Sequence, residues 1–172
     1  MKKSSITTFG SYFDRYIDLA DDIELIEALE QSLMDIDALD MIHLRKLGNW
    51  AYAEGKWSVK DIIQHIIDTE RIFCYRTLSY ARLDKNIPMG YEEDEYALNA
   101  RANKRDIDDI IDELKAVRQS TISMFKSFDD EDLKKIGTCW KYPMSVLAMG
   151  FILVGHQRHH FAVMKERYAG DR

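Results

Sequence analysis

GHQRHHFAVMKERY, residues 155–168, places His156 and His160 four residues apart near the C-terminus. On an α-helix, positions i and i+4 project from one face a single turn apart, so two imidazoles on one rigid backbone can reach the same ion. A third ligand must then come from another helix. WSVKDIIQHIIDTE, residues 57–70, supplies a candidate: His65 lies on an apolar stripe with Ile62, Ile66, Thr69 and Phe73, which points it inward. Three histidines plus water is a known arrangement for a catalytic first-row metal, with one position left open for substrate. The candidate metal ligands are therefore His65, His156 and His160.

Working outward, two prolines in 172 residues and repeated three-and-four spacing of apolar residues predict an all-α chain. Four long helices follow. The first spans 22–39, opened by Asp21 or Asp22 as N-cap, with Ile26, Leu29, Leu33 and Ile36 as its buried seam. The second spans 58–82 and opens on a capping box, Ser58 answered by Asp61. The third opens near Asp106 and has the cleanest apolar face, Ile107, Ile110, Ile111, Leu114, Val117, Thr121, Met124, Phe125 and Phe128. The fourth begins around Pro143 and ends near Tyr168, with Gly170 as a left-handed stop. It is apolar nearly all round, through Val146, Leu147, Phe151, Ile152 and Val154, so its outer face is expected to meet something other than water, most simply a second copy of the chain. The linkers 40–57, 83–105 and 129–142 each have room for short helical turns. The acidic stretch GYEEDEY, residues 90–96, reads as a solvated connection.

Topology decides whether the histidines can meet. His65 lies seven residues into helix two, ~10 Å from its start, whereas His156 and His160 stand ~18 and ~12 Å before the end of helix four. Antiparallel helices two and four bring these levels together. Parallel ones would leave the pair ~20 to 25 Å from the end near which His65 sits, a gap that metal bonds of ~2 Å cannot close. The expected fold is therefore an up-down-down-up four-helix bundle, with the 83–105 linker as a long crossover between helices two and three.

At this length the chain is one domain, residues 1–172 with 1–20 as an N-terminal extension, and large enough to fold without metal or disulfide support. Cys74 and Cys139 are the only cysteines, and no secretory pattern opens the chain, so free thiols and a cytoplasmic location are expected. A net charge of −6 without a basic face argues against nucleic acid as partner. The longest apolar run, 144–155, is too short to span a bilayer. His159 projects about a quarter-turn from the paired histidines and reads as a packing residue, His43 as solvent-facing, and Cys74 as a small hydrophobe without a base. Asp61 and Asp68 are within reach of His65 as orienting partners, or serve only to cap the helix and to pair with Arg71. Trp50, Tyr52 and Trp57 either wall a substrate pocket or cap the bundle end.

The run Trp57-Ser58-Val59-Lys60-Asp61, followed by His65, Asp68, Glu70 and Arg71 and later by GHQRHH running into KERY, resembles the DinB/YfiT-like superfamily of small bacterial metal-binding four-helix bundles, over residues 19–168. The resemblance implies the same three ligands, His65, His156 and His160, and the crossed topology. Three neutral nitrogens suit a divalent metal such as zinc, nickel, iron or manganese, and the resemblance further implies an enzyme of small molecules: a thiol transferase using a low-molecular-weight thiol of the bacillithiol or mycothiol type as co-substrate, or a related hydrolase. The alternative is a non-catalytic, stress-associated metal-binding dimer. A basic pocket beside the metal would favour the enzyme, and a site closed by side chains the alternative.

Overall fold

The computed structural model describes residues 1–8 and 10–169; the helix stop assigned to Gly170 lies outside them. After a short 3-10 turn at Lys3–Ser5, the helices are α1 (Asp14–Ile17), α2 (Leu25–Asp37), α3 (Met41–Leu47), α4 (Val59–Ala81), α5 (Glu93–Ala100), α6 (Ile107–Lys126), α7 (Asp130–Lys134) and α8 (Val146–Arg167). The four long ones, α2, α4, α6 and α8, form the expected all-α bundle. Between α7 and α8 an antiparallel hairpin intervenes, β1 (Ile136–Cys139) paired with β2 (Tyr142–Ser145).

Side-chain pairings fix the helix directions. Along α4 and α6 the partners climb together, Gln64 with Arg105, Arg71 with Glu113 and Cys74 with Thr121, so these helices are parallel. Along α2 and α6 they run oppositely, Asp37 with Lys115 and Glu30 with Lys126. His65 near the start of α4 meets His156 in the second half of α8, which makes α4 and α8 antiparallel. The order is up-down-down-up. The crossover carries α5 and a 3-10 turn, Ala102–Lys104, back along the bundle.

Helix boundaries follow the capping chemistry. Ser58 and Asp61 form the reciprocal capping box of α4, and Asp106 caps α6. Two starts differ from the sequence reading. Asp21 and Asp22 do not cap α2: Asp22 accepts a bond from the Ser4 amide at 2.8 Å, while the N-cap position is Glu24 and the Leu25 amide is taken by the Met1 carbonyl at 3.1 Å. Pro143 does not open α8. It sits in β2 opposite Thr138, and Ser145 caps the helix by accepting from the Ala148 amide. Strand pairing of 136–139 holds 142–145 extended, so the helix starts only where that pairing ends.

Two apolar clusters make the core. One gathers the first half of α8 with Tyr16, Ile17, Leu25, Phe73 and Phe125; the other gathers the start of α4 with Ile36, Leu44, Ile110, Leu114 and Tyr168. Between them lies a polar layer, Ser32, Thr69, Glu70, Arg118, Thr121, His156 and Gln157, all buried. Its centre is a bidentate ion pair, Arg118 Nε and Nη2 donating to the Glu70 carboxylate at 2.8 and 2.9 Å, with Thr121 donating to the same carboxylate at 2.6 Å. Arg118 also reaches the Ser32 hydroxyl and the Leu153 carbonyl.

The outer face of α8 is not left for a second copy. Val146, Leu147, Phe151, Ile152 and Val154 are each at most 2% exposed within the single chain. Residues of the N-terminal segment, among them Ile6, Tyr16, Ile17 and Ala20, pack with them. The apolar surface that motivated the homodimer expectation is thus covered from within. Among the described residues, no helix is long and apolar enough to cross a membrane.

Candidate metal centre

His65, on the inward face of α4, and His156 and His160, one turn apart on α8, converge. The Nε2 of His156 stands 3.1 Å from the Nε2 of His65 and 3.1 Å from that of His160. Among the described residues this is the one group of three histidine, cysteine or carboxylate side chains close enough to share an ion, with its ligand atoms within 4.8 Å of one another. Nitrogens bound tetrahedrally at ~2.0–2.1 Å stand ~3.3 Å apart. The donor set therefore fits a divalent ion with little movement. Its protonation state fits as well: burial pushes His65 down to about 4 and His160 down to about 3, and burial together with the neighbouring histidines drives His156 well below its ordinary value. All three imidazoles are neutral near pH 7, the form that ligates.

The surroundings hold the rings in place. The Thr69 hydroxyl lies 3.5 Å from Nδ1 of His65 and 2.7 Å from the Tyr91 hydroxyl, linking the site to the crossover. Trp57 packs on His65, ring centres 4.9 Å apart, and Tyr16 meets His156 edge-on at 5.2 Å. Gly155 allows the second contact: a Cβ there would lie 1.7 Å from the Tyr16 carbonyl oxygen.

Two cavities open onto the site. One of about 280 Å³ reaches His156 and is walled by Phe13, Tyr16, Thr69, Phe73, Arg76 and Tyr91, with Tyr12, Glu92, Glu93 and Trp140 toward its mouth. The other, about 380 Å³, reaches His160 past Tyr52, Trp57, Asp94 and His159. The histidines are thus open to small molecules on two sides.

Several sequence assignments change. Neither Asp61 nor Asp68 orients His65: Asp61 serves the capping box and Asn103, while Asp68 accepts from Gln64 at 3.0 Å. Arg71 pairs with Glu113 instead of Asp68. His43 is not free in solvent but meets the Tyr168 carbonyl at 2.6 Å. His159 stacks near Tyr16 and lines the second cavity without joining the cluster. The Cys74 thiol, 3.2 Å from the Thr121 hydroxyl, is pushed up to about 12 by burial, in keeping with an inert side chain. GYEEDEY is more than a connection: Tyr91 bonds to Thr69, burial raises its hydroxyl to about 12, and Glu93 opens α5. The sequence signal for this was Tyr91 itself, an aromatic beside an acidic run. Arg118 was missed altogether, because a charged residue on a helix with a full apolar face reads as solvent-facing.

The sequence profile of the DinB superfamily matches residues 45–164, a span that carries all three histidines. The chain belongs to the DinB superfamily. No curated protein sequence matches it. Among solved structures, YfiT from Bacillus subtilis is similar in fold, with a TM-score of 0.69 over 96% of this chain and 93% of that one at 14% identity. That protein is described as "a probable metal-dependent hydrolase with an unusual four-helix bundle topology".

Proposed function

We propose that this DinB-superfamily chain is a divalent-metal-dependent enzyme of small molecules, with His65, His156 and His160 as ligands and either a low-molecular-weight thiol or water as the activated nucleophile. The observation that carries the reading is the convergence of three neutral imidazoles at a point reached by two cavities. A divalent ion held there would lower the pKa of a bound thiol or water and so supply a nucleophile near neutral pH. The chain's own part is positional. Thr69 lies beside the His65 ring nitrogen, and Trp57 and Tyr16 pack against the imidazoles and hold their orientation. No cysteine is needed as nucleophile, since Cys74 stays protonated and sits against Thr121.

Thiol transfer is placed ahead of hydrolysis because the resemblance extends to thiol-using branches, and the description of YfiT supports the hydrolytic alternative. A protein purified without an affinity tag decides the matter through its metal content and a screen of the native form. Bacillithiol-type thiols with electrophilic acceptors form one arm, and ester and amide substrates the other. Metal-dependent turnover that survives Cys74→Ala is expected. A metal-free protein with no gain on adding zinc, nickel, iron or manganese would reject the reading.

A further inference from the structure

Among the described residues, Arg76 has no counter-ion to explain its burial. It is 5% exposed, and its Nε has no hydrogen-bond partner. Nη2 donates to the Met89 carbonyl at 2.9 Å, and Nη1 makes only a long contact, 3.6 Å, with the Cys139 sulfur. The other buried arginine, Arg118, has Glu70; among the described residues no carboxylate pairs with Arg76. Burial raises both Cys139 and Tyr80 beside it, so neither supplies an anion. A buried cation without a counter-ion is costly.

Arg76 lines the cavity that reaches His156, with its guanidinium 5.3 Å from the Phe73 ring and 6.0 Å from that of Tyr91. Eleven residues of α4 separate it from His65, three turns on the same side of the helix and about 16 Å of rise. The cavity it lines extends to His156 on the facing helix. At the mouth, Glu92 and Glu93 are exposed carboxylates, and Arg15 is the cation nearest Glu93. That acidic rim disfavours ligands of high negative charge.

We infer that Arg76 is the anchor for a single carboxylate on the small molecule that enters this cavity, the ligand's apolar or aromatic body lying along Phe73 and Tyr91. Its far end then reaches the three histidines. The anchor stands on Arg76 and the cavity alone, and only the placement of the reacting end rests on the metal-enzyme reading. The free Nε–H, with a further N–H of the same planar fork, suits the two oxygens of a carboxylate.

The test titrates 3-phenylpropionate, its neutral amide and phenyl phosphate into the full chain by calorimetry, metal-free and metal-loaded. The acid is expected to bind about tenfold or more tightly than the amide in both forms, the size of one charge-assisted contact in a desolvated site. That preference should vanish in Arg76→Gln and survive in His160→Ala, whose ring does not line this cavity. Arg76→Lys, which keeps the charge and loses the fork, should weaken the acid severalfold and serves if the glutamine variant does not fold. Equal binding of acid and amide, persistence of the preference in a folded Arg76→Gln protein, or tenfold tighter binding of phenyl phosphate overturns the assignment. Failure of the metal reading looks different: no metal is retained while the acid preference remains.

Discussion

Each of the three histidines is a poor metal ligand candidate alone and a strong one in company, because an isolated inward histidine is satisfied by one hydrogen bond whereas three converging neutral imidazoles can turn three lone pairs on one ion. Replacing His65, His156 or His160 by Ala is expected to reduce metal content at least tenfold while far-ultraviolet circular dichroism stays helical, since the apolar seams hold the fold. Full occupancy in His156→Ala would reject the ligand set. The same burial makes the metal-free chain acid-sensitive. Folded-state values of about 4 for His65 and about 3 for His160 lie below the ordinary 6.5, so the unfolded chain takes up more protons and stability is lost as pH falls from about 6.5 toward 4. Thermal midpoints of the metal-free protein should fall over that window, and a flat profile would contradict the buried, neutral state of these rings. Arg118 is the residue whose loss should hurt most. Arg118→Ala strands the Glu70 carboxylate in the core, at a cost of about 3–5 kcal/mol, read as a lowered urea midpoint. A change under about 1 kcal/mol would mean that the pair behaves as a surface one.

At the scale of elements, α8 does two jobs that its neighbours make compatible. Its first half is buried on every side, and its second half turns two histidines toward α4 and a third residue, His159, toward the N-terminal segment. Gly155 sits at the change-over, where the backbone of α1 crosses directly against α8. Gly155→Ala must push Tyr16 away from His156. Overpacking of this kind costs about 1–3 kcal/mol, and the variant should unfold at lower urea with weakened metal retention. An unchanged midpoint would show that the two helices can separate freely. The start of α8 teaches a related point. Proline at a first helical turn is a sound local signal, yet Pro143 lies in a strand because residues 136–139, read only as linker, come back to pair with it. Local propensity was outvoted by a partner that sequence spacing did not reveal.

For the whole molecule, the N-terminal segment covers the apolar face of α8 within the single chain. Met1 pairs with Glu24 at 2.7 Å, and Tyr16 and Ile17 are buried with α8. Deleting residues 1–20 is expected to expose that face and drive self-association, detected as a sedimentation coefficient that rises with concentration more steeply than that of the full chain. A truncated protein that stays a stable monomer would show the cover to be dispensable. The sequence by itself determined the all-α class, the capping-box start of α4, the inward seams, the three candidate histidines and, on the premise that those histidines meet, the antiparallel relation of α4 and α8 that helical rise then requires. These are properties of one helix, or of a distance that must close. Only the tertiary structure decided that Thr69 and Tyr91 rather than Asp61 or Asp68 support His65, that Arg118 pairs with Glu70 in the core, that Arg76 is buried with no anion among the described residues, and that Ile6, Tyr16, Ile17 and Ala20 cover α8. Each of those depends on which surfaces of remote segments meet. Amphipathic periodicity says that a face is buried without saying against what, so partners drawn from distant parts of the chain become visible only when the bundle is assembled.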